Sequence, residues 1–210
     1  MAASVMEARP EGAGGWLGPP PGFFLRPSTG LAPALLGCLL LTDRAGGRTS
    51  GVIVETEAYT MDDPASHSYR GPTRRNRSMF APGGTAYVYS IYGLHVCFNV
   101  AAGPAGCGEA VLVRALEPVE GLAEMQRRRG LPGSRPASGP ALLCRALGIT
   151  MDDDGADLSL ATGPGPALLV PADVPGWSVG ISPRIGITRA ADWPRRFYLS
   201  GNLFLSRRSP

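Results

Sequence analysis

The chain has 210 residues, a formal net charge of +3 and a pI near 8.8, which suits one well-buried core and leaves little room for two domains. All 20 basic residues are Arg and none is Lys, so chemistry through a lysine Schiff base is excluded and only the α-amino group could stand in for it. The four cysteines, Cys38, Cys97, Cys107 and Cys144, lack CxxC spacing, which argues against a zinc site and points to a reduced, cytoplasmic setting.

Residues 1–22 are rich in Ala, Gly and Pro without apolar periodicity and read as a disordered tail, leaving 23–210 as a single domain. Nothing before Trp16 resembles a basic segment followed by an apolar one, so no export signal is expected. A helix is predicted from Ser28 or Thr29 through Leu35, Leu36, Leu39 and Leu40, ending at Gly46-Gly47. Its apolar run, Leu31 to Leu41, is interrupted by Pro33 and Gly37 and is too short to cross a bilayer, so no membrane role is expected. The β-branched Val52, Ile53 and Val54 lead into Glu55, Thr56 and Glu57, the pattern of a core strand that surfaces with Glu57 at its end.

Thr85 to Ile91 and Leu94 to Val100 alternate in hydrophobicity around Tyr92-Gly93, predicting a β-hairpin with an aromatic at its tip. Ala110 to Leu116 follows as a strand, and Val119 to Arg129 and Ser138 to Leu147 as helices closed by Gly130 and Gly148. Short strands are predicted at Ala167 to Val170, Ser182 to Thr188 and Arg196 to Leu205, with loops at Leu131 to Ala137 and Gly163 to Pro166. With no internal repeat and no alternation of strand and helix, the sum is a mixed α+β domain built on a largely antiparallel sheet.

The densest polar stretch, VETEAYTMDDPASHSYRGPTRRNR from Val54 to Arg77, holds two glutamates, two aspartates, a histidine and several arginines. By composition it reads equally as a solvated loop or as a site. Glu55 and Glu57 share a face if the strand is regular, which is also the disposition of a paired-carboxylate glycosidase. With only His67 and His95 as histidines, a metal centre is not expected, and His95 with Cys97 reads as core packing.

The blocks VETEAY, ASH, TRRNRSMF, YVYSIYG, CFNV and LVRALEP, in that order, resemble the motif series of the alkyladenine (3-methyladenine) DNA glycosylase family. The likeness runs from the strand before Val52 to the RFY at Arg196 to Tyr198, although the interval from Glu57 to His67 is one residue shorter than in mammalian members. It implies a curved sheet with a protruding hairpin and surrounding helices, and a monofunctional enzyme without cofactor. Such an enzyme flips alkylated or deaminated purines (3-methyladenine, 7-methylguanine, hypoxanthine) out of double-stranded DNA and hydrolyses the N-glycosidic bond.

On that resemblance Glu57 is the general base, with Arg114 and the backbone carbonyl near Ile185 positioning the water; Arg114 reads alternatively as an ion-pair partner of Glu57. Tyr59, His67 and Tyr89 are implied as pocket walls, Asn99 as the residue that crowds the exocyclic amine of guanine, and Tyr92 as the wedge that fills the vacated stack. Arg75 and Arg77, with Arg70, Arg74, Arg195, Arg196, Arg207 and Arg208, are implied as phosphate contacts. A monomer without an obligate protein partner, cytoplasmic and nucleoid-associated, is expected. A non-catalytic module that retained the pocket, and a carbohydrate hydrolase using Glu55 and Glu57, stay open as alternatives.

Overall fold

The computed structural model describes residues 15–207 except positions 92, 94, 131, 133, 134, 162, 174 and 175. Within the expected tail Trp16–Leu17 forms β1, paired with Pro171 and Val170, and the expected domain opens with Phe23 and Phe24 buried in a 3-10 turn. The β1 pairing and the Trp16 indole N–H donated to the Gly37 carbonyl at 3.3 Å offset part of the ordering entropy of this Gly- and Pro-rich stretch. Positions 1–14 lie outside the described residues.

The predicted helix from Ser28 to Leu40 is two elements. Helix α1 spans Ser28–Ala34, with Pro33 inside it, and the chain leaves the helix through Gly37 at φ 85°. Leu39 and Leu40 belong to a strand, β2 (Leu39–Arg44), which is paired on both edges. An unbroken apolar run suits a strand buried on both faces as well as a helix, and the left-handed glycine separates the two here.

Strand β3 (Gly47–Tyr59) is the spine of the molecule; β4 (Ala86–Ile91) and β5 (His95–Ala102) form the predicted hairpin, and β6 (Glu109–Glu120) returns beside β3. Helix α2 (Leu122–Arg129) begins three residues later than predicted, because Glu117 and Pro118 stay in β6 and Gly121 turns the chain at φ 75°. Helix α3 (Pro140–Leu147) and β7 (Ala167–Pro171) fall where expected. The predicted strand at Ser182 to Thr188 lies earlier, as β8 (Val179–Ser182), and Pro183 opens a loop that takes residues 183–188. Strand β9 (Arg196–Leu199) ends well before Leu205, with Gly201 at φ 76° just beyond it.

All described strand pairs are antiparallel, in one nine-stranded sheet ordered β1-β7-β2-β3-β6-β5-β4, which bears out the α+β class. Strand β9, with β8 beyond it, takes the edge of β3 that β2 has left, so Glu55 to Glu57 lie between Tyr198–Arg196 and Ala115–Leu112. Register shifts flank Glu55, and Arg114 falls in the gap between the partners of Glu55 and Thr56. A bulge of this kind re-aims the extra side chain, here an arginine brought over two glutamates.

The two faces of β3 have different surroundings. Val54 and Ala58 join the main core with Leu31, Leu35, Phe98, Val113, Leu143 and Leu147, and the Thr56 hydroxyl donates to the Ala32 carbonyl at 2.9 Å. On the other face a smaller cluster of Met79, Tyr87 and Ala110 packs with Tyr59, Phe80 and Tyr89, and the polar site is built there. Among the described residues no helix is long and apolar enough to cross a membrane.

Candidate active site

Glu57 does not surface at a strand end as predicted: its residue is 0 % exposed, two positions before the end of β3. A buried carboxylate is tolerated only with charged or hydrogen-bonding partners, and Glu57 has three. Oε1 accepts the Ile185 backbone N–H at 2.7 Å and faces Arg114 Nη1 at 3.1 Å, while Oε2 accepts the Tyr59 hydroxyl at 2.9 Å. A carboxylate offers about four acceptor positions, so one, on Oε2, is left for a further donor.

The predicted contribution of Ile185 was a carbonyl holding a water; in the structure its amide N–H is the group bound to Glu57. The turn through Pro183 and Gly186, the latter at φ 80°, presents this N–H to the carboxylate.

Glu55 is equally buried and takes four donors to the three of Glu57. It accepts from Arg114 Nε (2.9 Å), Arg196 Nε (2.8 Å), the Ser206 hydroxyl (2.8 Å) and the Ser206 backbone N–H (2.6 Å). Burial alone would raise its pKa; the hydrogen bond from Arg196, the charge of Arg114 and the Ser206 donors outweigh this and hold the carboxyl below its ordinary value. Three of these donors are on Oε1 and one on Oε2, and none belongs to a residue lining the adjoining aromatic cavity, whereas Tyr59, the partner of Glu57, does. The two carboxylates are therefore not equivalent, as a paired-carboxylate glycosidase would need them both to be at the reactant. Arg114 bridges the two glutamates, and their charges outweigh the burial that opposes its own, raising its pKa.

Beside this network lies an aromatic cavity of about 130 Å³ lined by Tyr59, Ala65, His67, Met79, Tyr87, Tyr89, Asn99, Ala110 and Ile187. Cavities of roughly 150 Å³ accept a benzene ring, so the space has the scale of a flat ring. Three predicted walls, Tyr59, His67 and Tyr89, are brought together here with Asn99, and the shorter interval before His67 does not remove it from the site. Glu57 stands one hydrogen bond behind the lining, through Tyr59.

The His67 ring lies edge-on to Tyr89 with centroids 4.6 Å apart, and its Nδ1 is 2.8 Å from the Tyr87 hydroxyl. Desolvation, and then the charge of Arg75, lower the His67 pKa, which keeps the imidazole neutral near pH 7. Burial raises the pKa of all three tyrosines, so they stay protonated. Asn99 donates its Nδ2 to the Tyr87 carbonyl at 2.9 Å, which fixes the amide and leaves its oxygen as an acceptor.

Several residues essential to this geometry are given no such role by the sequence, although Asn76, Met79, Tyr87 and Arg196 lie inside the motif blocks. Asn76 holds the loop after His67, donating to the His67 and Gly71 carbonyls and accepting from Thr73. Arg184 lies 4.5 Å from the centroid of the Tyr59 ring and is paired with Asp63. Arg196, expected at a phosphate, is buried against Glu55 instead. Tyr87 and Met79 complete the cavity. Arg70, Arg74, Arg75 and Arg77 are exposed, and Arg75 donates to the Ser90 carbonyl near the hairpin end. Tyr92 and Arg208 lie outside the described residues. Cys97 is buried as expected, whereas His95 is exposed. Among the described residues no group of three or more His, Cys, Asp and Glu could hold a metal ion.

A larger cavity of about 590 Å³, between Trp16 and Trp177, contains none of these paired charges. Volume alone therefore does not locate the chemistry; the convergence of polar groups does.

The family model for methylpurine-DNA glycosylase matches residues 22–203. A protein of Methanoculleus marisnigri named "Putative 3-methyladenine DNA glycosylase" is 54% identical over 194 residues, covering 90% of this chain and 98% of its own. Proteins of the same name from Rhodopseudomonas palustris and Granulibacter bethesdensis are 50% and 51% identical, each covering 90% of this chain and 87% of its own. The match spans β3, the aromatic cavity and the loop bearing Ile185, and on this evidence the chain belongs to the methylpurine-DNA glycosylase family.

Proposed function

We propose that the protein removes alkylated or deaminated purines from double-stranded DNA, working alone and without cofactor, and that Glu57 is its general base. The observation that carries the reading is the state of that carboxylate: buried, locked by Arg114, Ile185 and Tyr59, and with a single acceptor position open beside an aromatic cavity. A purine turned out of the stack loses its neighbours, and the rings of Tyr59, His67 and Tyr89 replace them. Tyr92, which follows β4 in the sequence, fills the gap, and exposed Arg75 and Arg77 hold the phosphates on either side.

As the N-glycosidic bond breaks, its electron pair leaves with the base and positive charge builds on the sugar. A water bound to the open position of Glu57 Oε2 gives its proton to the carboxylate and its oxygen to the anomeric carbon, so the products are a free base and an abasic site. Arg114 limits the spread of negative charge between two adjacent glutamates and holds Glu57 in place. Asn99, fixed by the Tyr87 carbonyl, faces the bound base with an oxygen and discriminates by fit. With no Lys in the chain, no lysine Schiff base forms, and the DNA backbone stays intact until alkali or heat is added.

Duplexes each carrying one lesion (3-methyladenine, 7-methylguanine or hypoxanthine) test this directly. The expected result is strand breaks after alkaline treatment and none before it. No breaks after alkali for any lesion would overturn the reading, and breaks without alkali would overturn its hydrolytic, non-lyase form.

A further inference from the structure

We propose that Arg184 is a positioning residue that sets both uncharged donors to Glu57, an inference that rests on the glycosylase reading above. The two donors come from different parts of the chain, Tyr59 at the end of β3 and Ile185 in the loop after β8, and Arg184 stands behind both. It is the residue before Ile185, so anchoring its side chain anchors that amide. Its guanidinium lies 4.5 Å from the centroid of the Tyr59 ring and so backs the ring on whose hydroxyl the second donor sits.

The anchor is extensive and dry. Arg184 pairs through both Nη atoms with Asp63, Nη2 lying 3.1 Å from Oδ1, and both side chains are 0 % exposed. Nη1 also donates to the Ala58 carbonyl at 3.1 Å, tying the loop to β3 itself. Asp63 belongs to the loop that carries Ala65 and His67 into the cavity, and it accepts the Ala65 backbone N–H at 2.9 Å. One buried ion pair thus joins the two loops that supply Ala65, His67 and Ile187 to the cavity and the Ile185 amide to Glu57. A forked guanidinium fixes direction as well as distance, which a lysine would not.

Arg184→Met tests this: Asp63 keeps a second cation in Arg195, 3.4 Å away, which offsets part of the cost of breaking a buried pair. Circular dichroism establishes that the variant is folded, with Arg184→Lys as the milder substitution. Displacements near 1 Å at a reacting group cost about 100-fold, so the single-turnover rate on a lesion duplex, with enzyme in saturating excess, should fall about 10- to 100-fold while the Kd for that duplex changes little. Hydrogen exchange in isoleucine-labelled protein supplies a readout independent of activity. The Ile185 amide should exchange about tenfold faster or more in the variant, whereas the Ile53 amide, bonded to the Cys38 carbonyl in the core, should not change. Arg184→Lys should recover only part of both effects.

A folded Arg184→Met protein with parental rate and parental Ile185 exchange would overturn the proposal, as would equal acceleration at Ile53 and Ile185. If the unaltered protein released no base while Ile185 exchange still responded, the positioning would stand and the glycosylase reading would fall.

Discussion

The two faces of β3 are equally dry and are held in opposite ways. Val54 and Ala58 on one face and Glu55 and Glu57 on the other are all 0 % exposed, yet the first pair is held by apolar packing and the second by arginines, a serine and backbone amides. Packing is non-directional and tolerates neighbours of about the right size. The ionic face requires each donor at a particular atom, because a buried charge that loses a partner is costly. Within that face a second contrast separates the two glutamates. Glu55 is held by two arginines and a serine, none of which lines the aromatic cavity, while Glu57 is bonded to Tyr59 of that lining.

The contrast should break most strongly at Glu55. Removing its carboxylate in Glu55→Ala leaves Arg196 and part of Arg114 buried without the charge that holds them, at a cost of about 3–5 kcal/mol. For a chain of this size that corresponds to a fall in Tm of about 10 °C, measured by circular dichroism. A fall of a degree or two would mean that the network is solvated and contributes little.

On the apolar face, Leu143→Ala should cost about 2–5 kcal/mol through lost burial and the cavity left behind. Its single-turnover rate on a lesion duplex should nonetheless match the parent wherever the variant is folded, because Leu143 belongs to the main core and does not line the cavity. A slowed rate in fully folded protein would show that the two faces are coupled.

Two smaller effects appear in pH titrations of stability. Glu55 has a folded pKa below its ordinary value of 4.5, so its contribution is complete above that pH and is lost as the pH falls through the lowered folded value. The Glu55→Gln protein should lack this component in a comparison of denaturation midpoints between pH 5 and pH 3. His67, also shifted down, behaves differently: its neutral form is favoured by the fold, so stability declines as the pH drops below 6.5 and the unfolded chain takes up the proton first. Because the ring is partly exposed this decline is shallow, and His67→Gln should flatten it. An unchanged slope in that variant would mean that His67 titrates alike in both states.

How much of this was legible in the sequence follows the same division. The hairpin and β6 announce themselves by alternation, which works where one face differs from the other. Leu39 and Leu40 mislead because a strand buried on both faces shows no period, and only Gly37 marks the break. Among site residues, Glu57, Tyr59, His67, Tyr89 and Asn99 sit in contiguous blocks that are recognised together. Asp63 and Arg184 are 121 residues apart, and in a loop each reads as an ordinary solvated charge until the fold buries them against one another. Arg196 misleads for the same reason, since an arginine bound for a phosphate and one bound for a buried glutamate look alike in sequence.

The central claim is that Glu57, and not Glu55, activates the water, and it meets its most direct test in the single-turnover excision rate of Glu57→Gln on a lesion duplex. General-base catalysis contributes about 100- to 10,000-fold, so the variant should be slowed by at least that lower figure while binding an abasic duplex as tightly as the parent. Excision at the parental rate would contradict the account.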